Sequence, residues 1–359
     1  GQSAVLVSEA DAVLLWDGSN AGEFFQGKTG IAASTMARLQ AGPGFERAYF
    51  IQVLKHAEPF LKSQTSGTGI PHVDREVLED IVVFRPVVSE QRAIALVLDT
   101  LDTTISQTDA IIEKLKQVKQ GLLHDLLTRG IAANGELRPP QSEAPHLYKA
   151  SPLGGIPDSW SVAKLDDVAE RGSGHTPSKN VPSYWNGGIK WVSLADSHRL
   201  DQIYINETDK EISALGIANS SAVKHPAGTV VLSRDAGVGK SAVLAAEMAV
   251  SQHFMAWRCS ADLNNLFLYF VLQRMKPVFE AIALGSTVKT IGLSYFKKLQ
   301  IAVPPRAEQD RAVAILMASE ADIRNQQAEL SKLMLLKSGL MDDLLTGRVR
   351  VTPLLEATP

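Results

Sequence analysis

The most suggestive chemical motif in the chain is Gly237-Val238-Gly239-Lys240-Ser241. A Gly-Lys-Ser run of this kind closes the phosphate-cradling loop of nucleotide hydrolases, where backbone N–H groups and a lysine surround the phosphates. That loop also needs a glycine five places before the glycine of the Gly-Lys pair, and it opens a helix. Here that place is held by Arg234, and Ala242-Val243-Leu244 continues like a strand. No downstream strand ending in Asp stands out to hold Mg²⁺. A β-hairpin whose glycines permit the turn is the plainer reading, with nucleotide binding as the alternative.

Other chemistry is sparse. The eight histidines are scattered, and none stands at metal-ligand spacing from a second His, Cys or Glu. There is no Gly-x-Ser-x-Gly elbow and no methyltransferase-like aromatic motif. No catalytic residue, metal ligand or cofactor is therefore expected. The single cysteine, Cys259, excludes a disulfide framework and suits a reducing cytoplasm. Apolar runs such as Ile81 to Phe84 are far too short to span a bilayer. With 359 residues, 45% of them hydrophobic and 21% charged, the chain has material for two or three ordinary globular domains. The net charge of −3 counts against a stand-alone nucleic-acid binder. Segregation of basic loops from acidic helices would soften that objection.

The loops must be carried by something, and two long helices stand out. From Ser89 to Gly130, apolar residues fall in steps of four and three: Ile94, Leu98, Leu101, Ile105, Ile112, Leu115, Leu122 and Leu126. This is a heptad seam, made to lie along a second helix. Forty residues of helix would span about 60 Å. Adding 218 to each position gives a second seam with Leu316, Ile323, Leu330, Leu333, Leu340 and Leu344. The polar interruptions recur, Thr108 as Gln326 and Lys119 as Lys337, and matching interruptions favour mutual pairing. Glu90-Gln91 and Glu308-Gln309 open the two helices. Asp125-Leu126-Leu127-Thr128 and Asp343-Leu344-Leu345-Thr346 close them, followed by the C-cap glycines Gly130 and Gly347.

The duplication reaches upstream. Ser66-Gly67-Thr68 precedes Val82 to Pro86 much as Gly285-Ser286-Thr287 precedes Ile301 to Pro305, and Val13 to Gly18 resembles Val230 to Asp235. Ala12 to Trp16, Ile81 to Phe84, Lys190 to Leu194 and Val230 to Ser233 read as strands. Phe45 to Leu61 reads as a helix, and Asn264 to Glu280 as a helix broken or kinked at Pro277.

Two globular stretches, each followed by a Glu-Gln helix ending in Asp-Leu-Leu-Thr, resemble the specificity subunit of type I restriction–modification enzymes. The run Pro152 to Trp160 looks like that family's domain-opening motif. The stretches Ser173 to Asp196, Leu232 to Val243 and Ala249 to Ala256 are similar to its domain interior. The resemblance covers almost the whole chain. It implies an α+β fold: two globular α/β target recognition domains separated by a pair of long antiparallel coiled-coil helices. The divisions expected are a recognition domain at 1–88, a long helix at 89–130, a linker at 131–152, a second recognition domain at 153–306, a second long helix at 307–347 and a tail at 348–359. One departure matters: the second repeat has about 80 residues before Val230 that the first lacks. The sequence given opens without Met, partway through its first recognition domain, as a truncation or as a half-plus-whole arrangement.

The implied partners are double-stranded DNA and two modification (methyltransferase) subunits, with restriction subunits joined through them. Methylation and cleavage would then reside in those partners. Base discrimination needs donors and acceptors on loops. The candidates are Ser173, His175, Thr176, Ser178, Lys179, Arg199, Arg234, Lys240, Lys289 and Thr290 in the second domain, and Lys28, Thr68 and His72 in the first. Each also reads as a solvated loop side chain or a phosphate contact. Trp185 and Trp191 read as packing residues. A coiled-coil scaffold without DNA specificity is the remaining alternative.

Overall fold

A computed structural model describes residues 5–9, 11–65, 70–285 and 289–351, with the Ser173 side chain left out. The chain divides into two units. Unit 1 comprises Gly1–Lys114 with Ile323–Pro359, and unit 2 comprises Leu115–Asp322.

In unit 1, β1 (Leu6–Val7) pairs with β4 (Gly30–Ile31), and β2 (Ala12–Leu15) lies between β3 (Phe24–Gln26) and β5 (Met36–Leu39). Helices α1 (Arg47–Ser63) and α2 (Arg75–Glu79) follow, capped by the side chains of Glu46 and Asp74, which accept orphan N–H groups of the first turn. Leu14, Phe24, Leu61 and Val73 form one core. A long helix, α3 (Val88–Leu126), then begins.

Unit 2 opens with the hairpin β6 (Tyr148–Ser151) and β7 (Gly154–Pro157), then β8 (Ser161–Lys164), α4 (Leu165–Val168) and β9 (Ala169–Ser173). Strands β10 (Trp185–Val192), β11 (Tyr204–Ile205) and β12 (Lys210–Ile212) precede α5 (Ala214–Ala218). Then come β13 (Lys224–His225), β14 (Val230–Ser233), β15 (Ser241–Leu244), β16 (Met248–Val250) and β17 (Phe254–Cys259). Helices α6 (Asn265–Ile282) and α7 (Leu293–Phe296), β18 (Gln300–Val303) and the second long helix α8 (Arg306–Leu344) complete the order. One sheet runs β12-β10-β16-β13, another β11-β15-β14-β17-β9, and β18 pairs with β8. Strands β14 and β15 are buried on both faces, which explains their unbroken apolar runs.

The 218-residue repeat is realised as matched register. Ala12 pairs with Leu39 as Val230 pairs with Trp257, and Leu6 with Ile31 as Lys224 with Ala249. Pro59 in α1 and Pro277 in α6 occupy the same place. Of the break or kink expected at Pro277, a break does not occur: α6 runs through to Ile282. Phe270 and Phe279, on either side of the proline, are buried and hold the helix against the core despite the lost hydrogen bond.

The long helices pack together in opposite directions within each unit. In unit 1, Ile94 and Leu98 share a core with Leu344, Leu345 and Val351, and Lys337 pairs with Asp102. In unit 2, Leu123 and Leu126 share a core with Ala312, Val313 and Leu316, and Lys119 pairs with Glu320. Every seam residue named from the sequence is buried or half-buried. The polar interruptions Lys119 and Lys337 are thus satisfied by carboxylates that are themselves 218 residues apart, Asp102 and Glu320.

One sequence reading changes. Ile81 to Phe84 forms no strand, and Val82 is 96% exposed. Its counterpart β18 is held by β8, and the described residues of unit 1 offer 81–84 no such partner. The stretch 131–152, expected as a linker, ends in β6, which pairs with β7, and its Arg138 grips Glu308 with both guanidinium arms.

Candidate nucleic-acid interface

The turn from β14 to β15 carries the Gly-Val-Gly-Lys-Ser motif, and it is a hairpin. Leu232 pairs with Ser241, Ser233 N donates to Lys240 O at 2.8 Å, and Gly239 N donates to Ser233 O at 3.0 Å. Ala236, Gly237 and Gly239 all have positive φ, which glycine adopts without strain. A strand, not a helix, follows, so the phosphate-cradling reading, which needs the loop to open a helix, is not supported.

The hairpin turn presents Arg234 and Asp235. Asp235 is 8% exposed and collects two partners from distant parts of the chain and one from its neighbour. Thr290 donates its hydroxyl to one carboxylate oxygen, His253 Nδ1 lies 2.8 Å from the other, and Arg234 Nε is 3.5 Å away. Burial works to raise the Asp235 carboxyl. The hydrogen bonds from Thr290 and His253, helped by the Arg234 charge, outweigh it and hold the group below the ordinary carboxylate value.

His253 also lines a neighbouring open cleft of about 760 Å³, together with Gln252, Thr176, Lys179, Asn186 and Trp185. Its floor is Trp191, 4% exposed, whose ring meets Trp185 edge-on at 5.2 Å. The loop after β9 reaches the cleft because Gly174 lies so close to Val250 O that no Cβ would fit. His175 N then donates to Val250 O, and Thr176 hydrogen-bonds Gln252. On another side of the hairpin, Lys240 and Lys289 line a second hollow with Lys276 and Glu280. The Lys240 ammonium donates to Ser197 O at 3.0 Å.

The structure therefore brings together Arg234 and Thr290 at Asp235, Lys240 and Lys289 at the second hollow, and Thr176 and Lys179 at the cleft. His175 and Ser178 are exposed on the same loop as Thr176. Arg199 stands apart, 3.4 Å from the fully buried Asp196. The Ser173 backbone pairs with Met255 in the sheet. In unit 1, Lys28 is exposed beside an apolar hollow, and His72 bridges to Asp17. Thr68 lies outside the described residues. Sequence reasoning missed Asp235, His253, Gln252 and Asn186 as site residues. The available signal was the polar Ser251-Gln252-His253 turn between two apolar strands.

Among the described residues no group of His, Cys, Asp and Glu is arranged to hold a metal ion, and no helix is long and apolar enough to cross a membrane.

The sequence profile of the type I restriction modification DNA specificity domain matches residues 2–117 and 157–333. The chain belongs to this family. It is 29% identical to the type I restriction enzyme MjaVIII specificity subunit of Methanocaldococcus jannaschii, over 97% of this chain and 81% of that protein. Its fold is similar to the type I restriction–modification S subunit from M. genitalium, with a TM-score of 0.58 at 14% identity, over 94% of this chain and 83% of that one. A chain from a type I system studied for complex assembly and conformational transition gives a TM-score of 0.62 at 17% identity, covering 97% and 85%. The specificity-domain repeat matched in two segments is the same repeat that the 218-residue register traces through the strands.

Proposed function

We propose that this chain is the non-catalytic, DNA-reading subunit of a cytoplasmic type I restriction–modification assembly. Family membership over both repeats carries the reading. Each unit reads one half of a split target in double-stranded DNA. In unit 2 the reading loops are those bearing Ser173, His175, Thr176, Ser178 and Lys179, with Arg199, the hairpin residues Arg234 and Lys240, and Lys289 with Thr290. In unit 1 they bear Lys28, Thr68 and His72. The helices α3 and α8, each continuous from one unit into the other, set the gap between the half-sites, as two readers on one duplex face require.

Two modification subunits dock on this chain, and restriction subunits join through them. Support comes from α8, which leaves Met334, Leu335 and Leu336 between 52% and 74% exposed, an apolar run suited to a protein partner. Partner subunits also supply the positive charge that a chain of net charge −3 lacks for phosphate neutralisation. The test is methylome sequencing of cells expressing this chain with its modification subunit. A split methylated motif with a fixed gap is expected. Methylation without a motif would leave only a scaffold.

A further inference from the structure

The two repeats share one loop frame that holds different side chains. In unit 2, Arg234 N donates to His253 O, Ile291 N to Arg234 O and Ala236 N to Lys289 O, and Asp235 bridges Thr290. In unit 1 each bond recurs 218 residues earlier: Trp16 N donates to Thr35 O, Val73 N to Trp16 O and Gly18 N to Pro71 O, and Asp17 bridges His72. The aspartate is the same in both. Around it, Arg234 replaces Trp16, and the His and Thr exchange places: Thr35 corresponds to His253, and His72 to Thr290. A frame kept in both copies while the side chains it carries change chemistry is what two readers of different sequences need.

Resting on the DNA-reading role above, we propose that Asp235, with Asp17 as its counterpart, is the positioning residue of a reading face in each unit, and that the specificity-determining residues are the side chains set around it. These are Arg234, His253 and Thr290 in unit 2, and Trp16, Thr35 and His72 in unit 1. Asp235 has the geometry for the task. It is nearly buried, yet it bonds a hydroxyl and an imidazole and stands beside a guanidinium, so it fixes their orientation before DNA arrives. Its pairing with Arg234 uses Nε, which leaves the two terminal nitrogens to grip the O6 and N7 edge of a guanine. Trp16, half-buried against the unit 1 core, offers the rest of its apolar surface instead, suited to a thymine methyl or a base face. The unit 2 half-site should thus contain a guanine read by Arg234, and the unit 1 half-site should have no such cation at this place.

The experiment selects from randomised duplexes with the full chain assembled with its modification subunits, followed by sequencing and by melting of each variant. Arg234→Gln should lower the preference for one guanine in one half-site on the order of tenfold and leave the other half-site intact. Asp235→Asn should weaken the preference at that same guanine, and Asp235→Glu should restore part of it. Trp16→Phe should alter only the other half-site. If Asp235→Asn does not fold, Thr290→Val takes its place, with a smaller loss at the same position expected. A wild type that selects no motif would sink the DNA reading itself. A wild-type motif that survives these substitutions, or weakens equally at every position, overturns this assignment alone.

Discussion

Gln91 and Gln309, 218 residues apart and both fully buried, make the same three hydrogen bonds. Gln91 Nε2 donates to Gly44 O and Pro86 O, and its Oε1 accepts from Glu46 N, the N-cap of α1. Gln309 Nε2 donates to Asp262 O and Pro304 O, and its Oε1 accepts from Asn264 N, the N-cap of α6. Each long helix is thereby tied at its first turn to the N-cap of an earlier helix of its unit, α1 or α6. The glutamine of the Glu-Gln start is a structural pin that couples a recognition unit to its rod.

Removing a pin leaves a buried N–H and two carbonyls without partners. Gln309→Leu should destabilise unit 2 by about 2–4 kcal/mol, since each unsatisfied buried group costs about 1–3 kcal/mol. Urea unfolding followed by the fluorescence of the buried Trp160 and Trp257 checks this. Gln91→Leu should do the same to unit 1 and leave that signal nearly unchanged.

The glutamates of the same motif close a second circuit. Glu308, 3% exposed, takes both arms of Arg138, Trp160 Nε1 at 3.1 Å and Ile131 N at 2.8 Å. Glu90, 1% exposed, takes Arg350 at 2.6 and 2.7 Å and Val351 N at 3.3 Å. The start of each helix thus holds the chain leaving the other. Glu308→Ala should cost about 3–5 kcal/mol by stranding a buried cation. The double variant with Arg138→Ala should cost less than the two singles added, which a double-mutant cycle would measure.

Acid should weaken the rod pair through Asp102. Burial acts to raise its carboxyl, but hydrogen bonds from Lys337 and Gln52 with the charges of Lys55 and Lys337 hold the folded value below the ordinary 3.8. A depressed carboxylate stabilises the fold above its unfolded pKa and loses that contribution as pH falls through the folded value. Asp102→Asn should therefore lose less stability than wild type between about pH 5 and about pH 2. An identical acid limb in the two proteins would remove Asp102 from the account.

The rods and the repeat were legible in the sequence because helical period and repeated spacing survive without knowledge of contacts. The hairpin at Gly237 was legible from one missing glycine at Arg234 and the strand-like residues after it. The Asp235 centre was not: His253 and Thr290 lie 18 and 55 residues away, and the β14–β17 pairing and the bridge from Asp235 to Thr290 deliver them. The anchoring of the stretch 131–152 was not legible, because Arg138 gives no sign in sequence that it will meet Glu308. Ile81 to Phe84 misled because a strand exists only where a ladder partner does.

The most direct test of the central claim, that two paired helices set the distance between two readers, is a matched insertion. One heptad placed after Ile112 in α3 and one after Gln326 in α8 preserve the seam and lengthen each rod by about 10 Å. Methylome sequencing should then report unchanged half-sites separated by a gap wider by up to about three base pairs, at 3.4 Å per pair. An active assembly that methylates the original spacing would contradict the account.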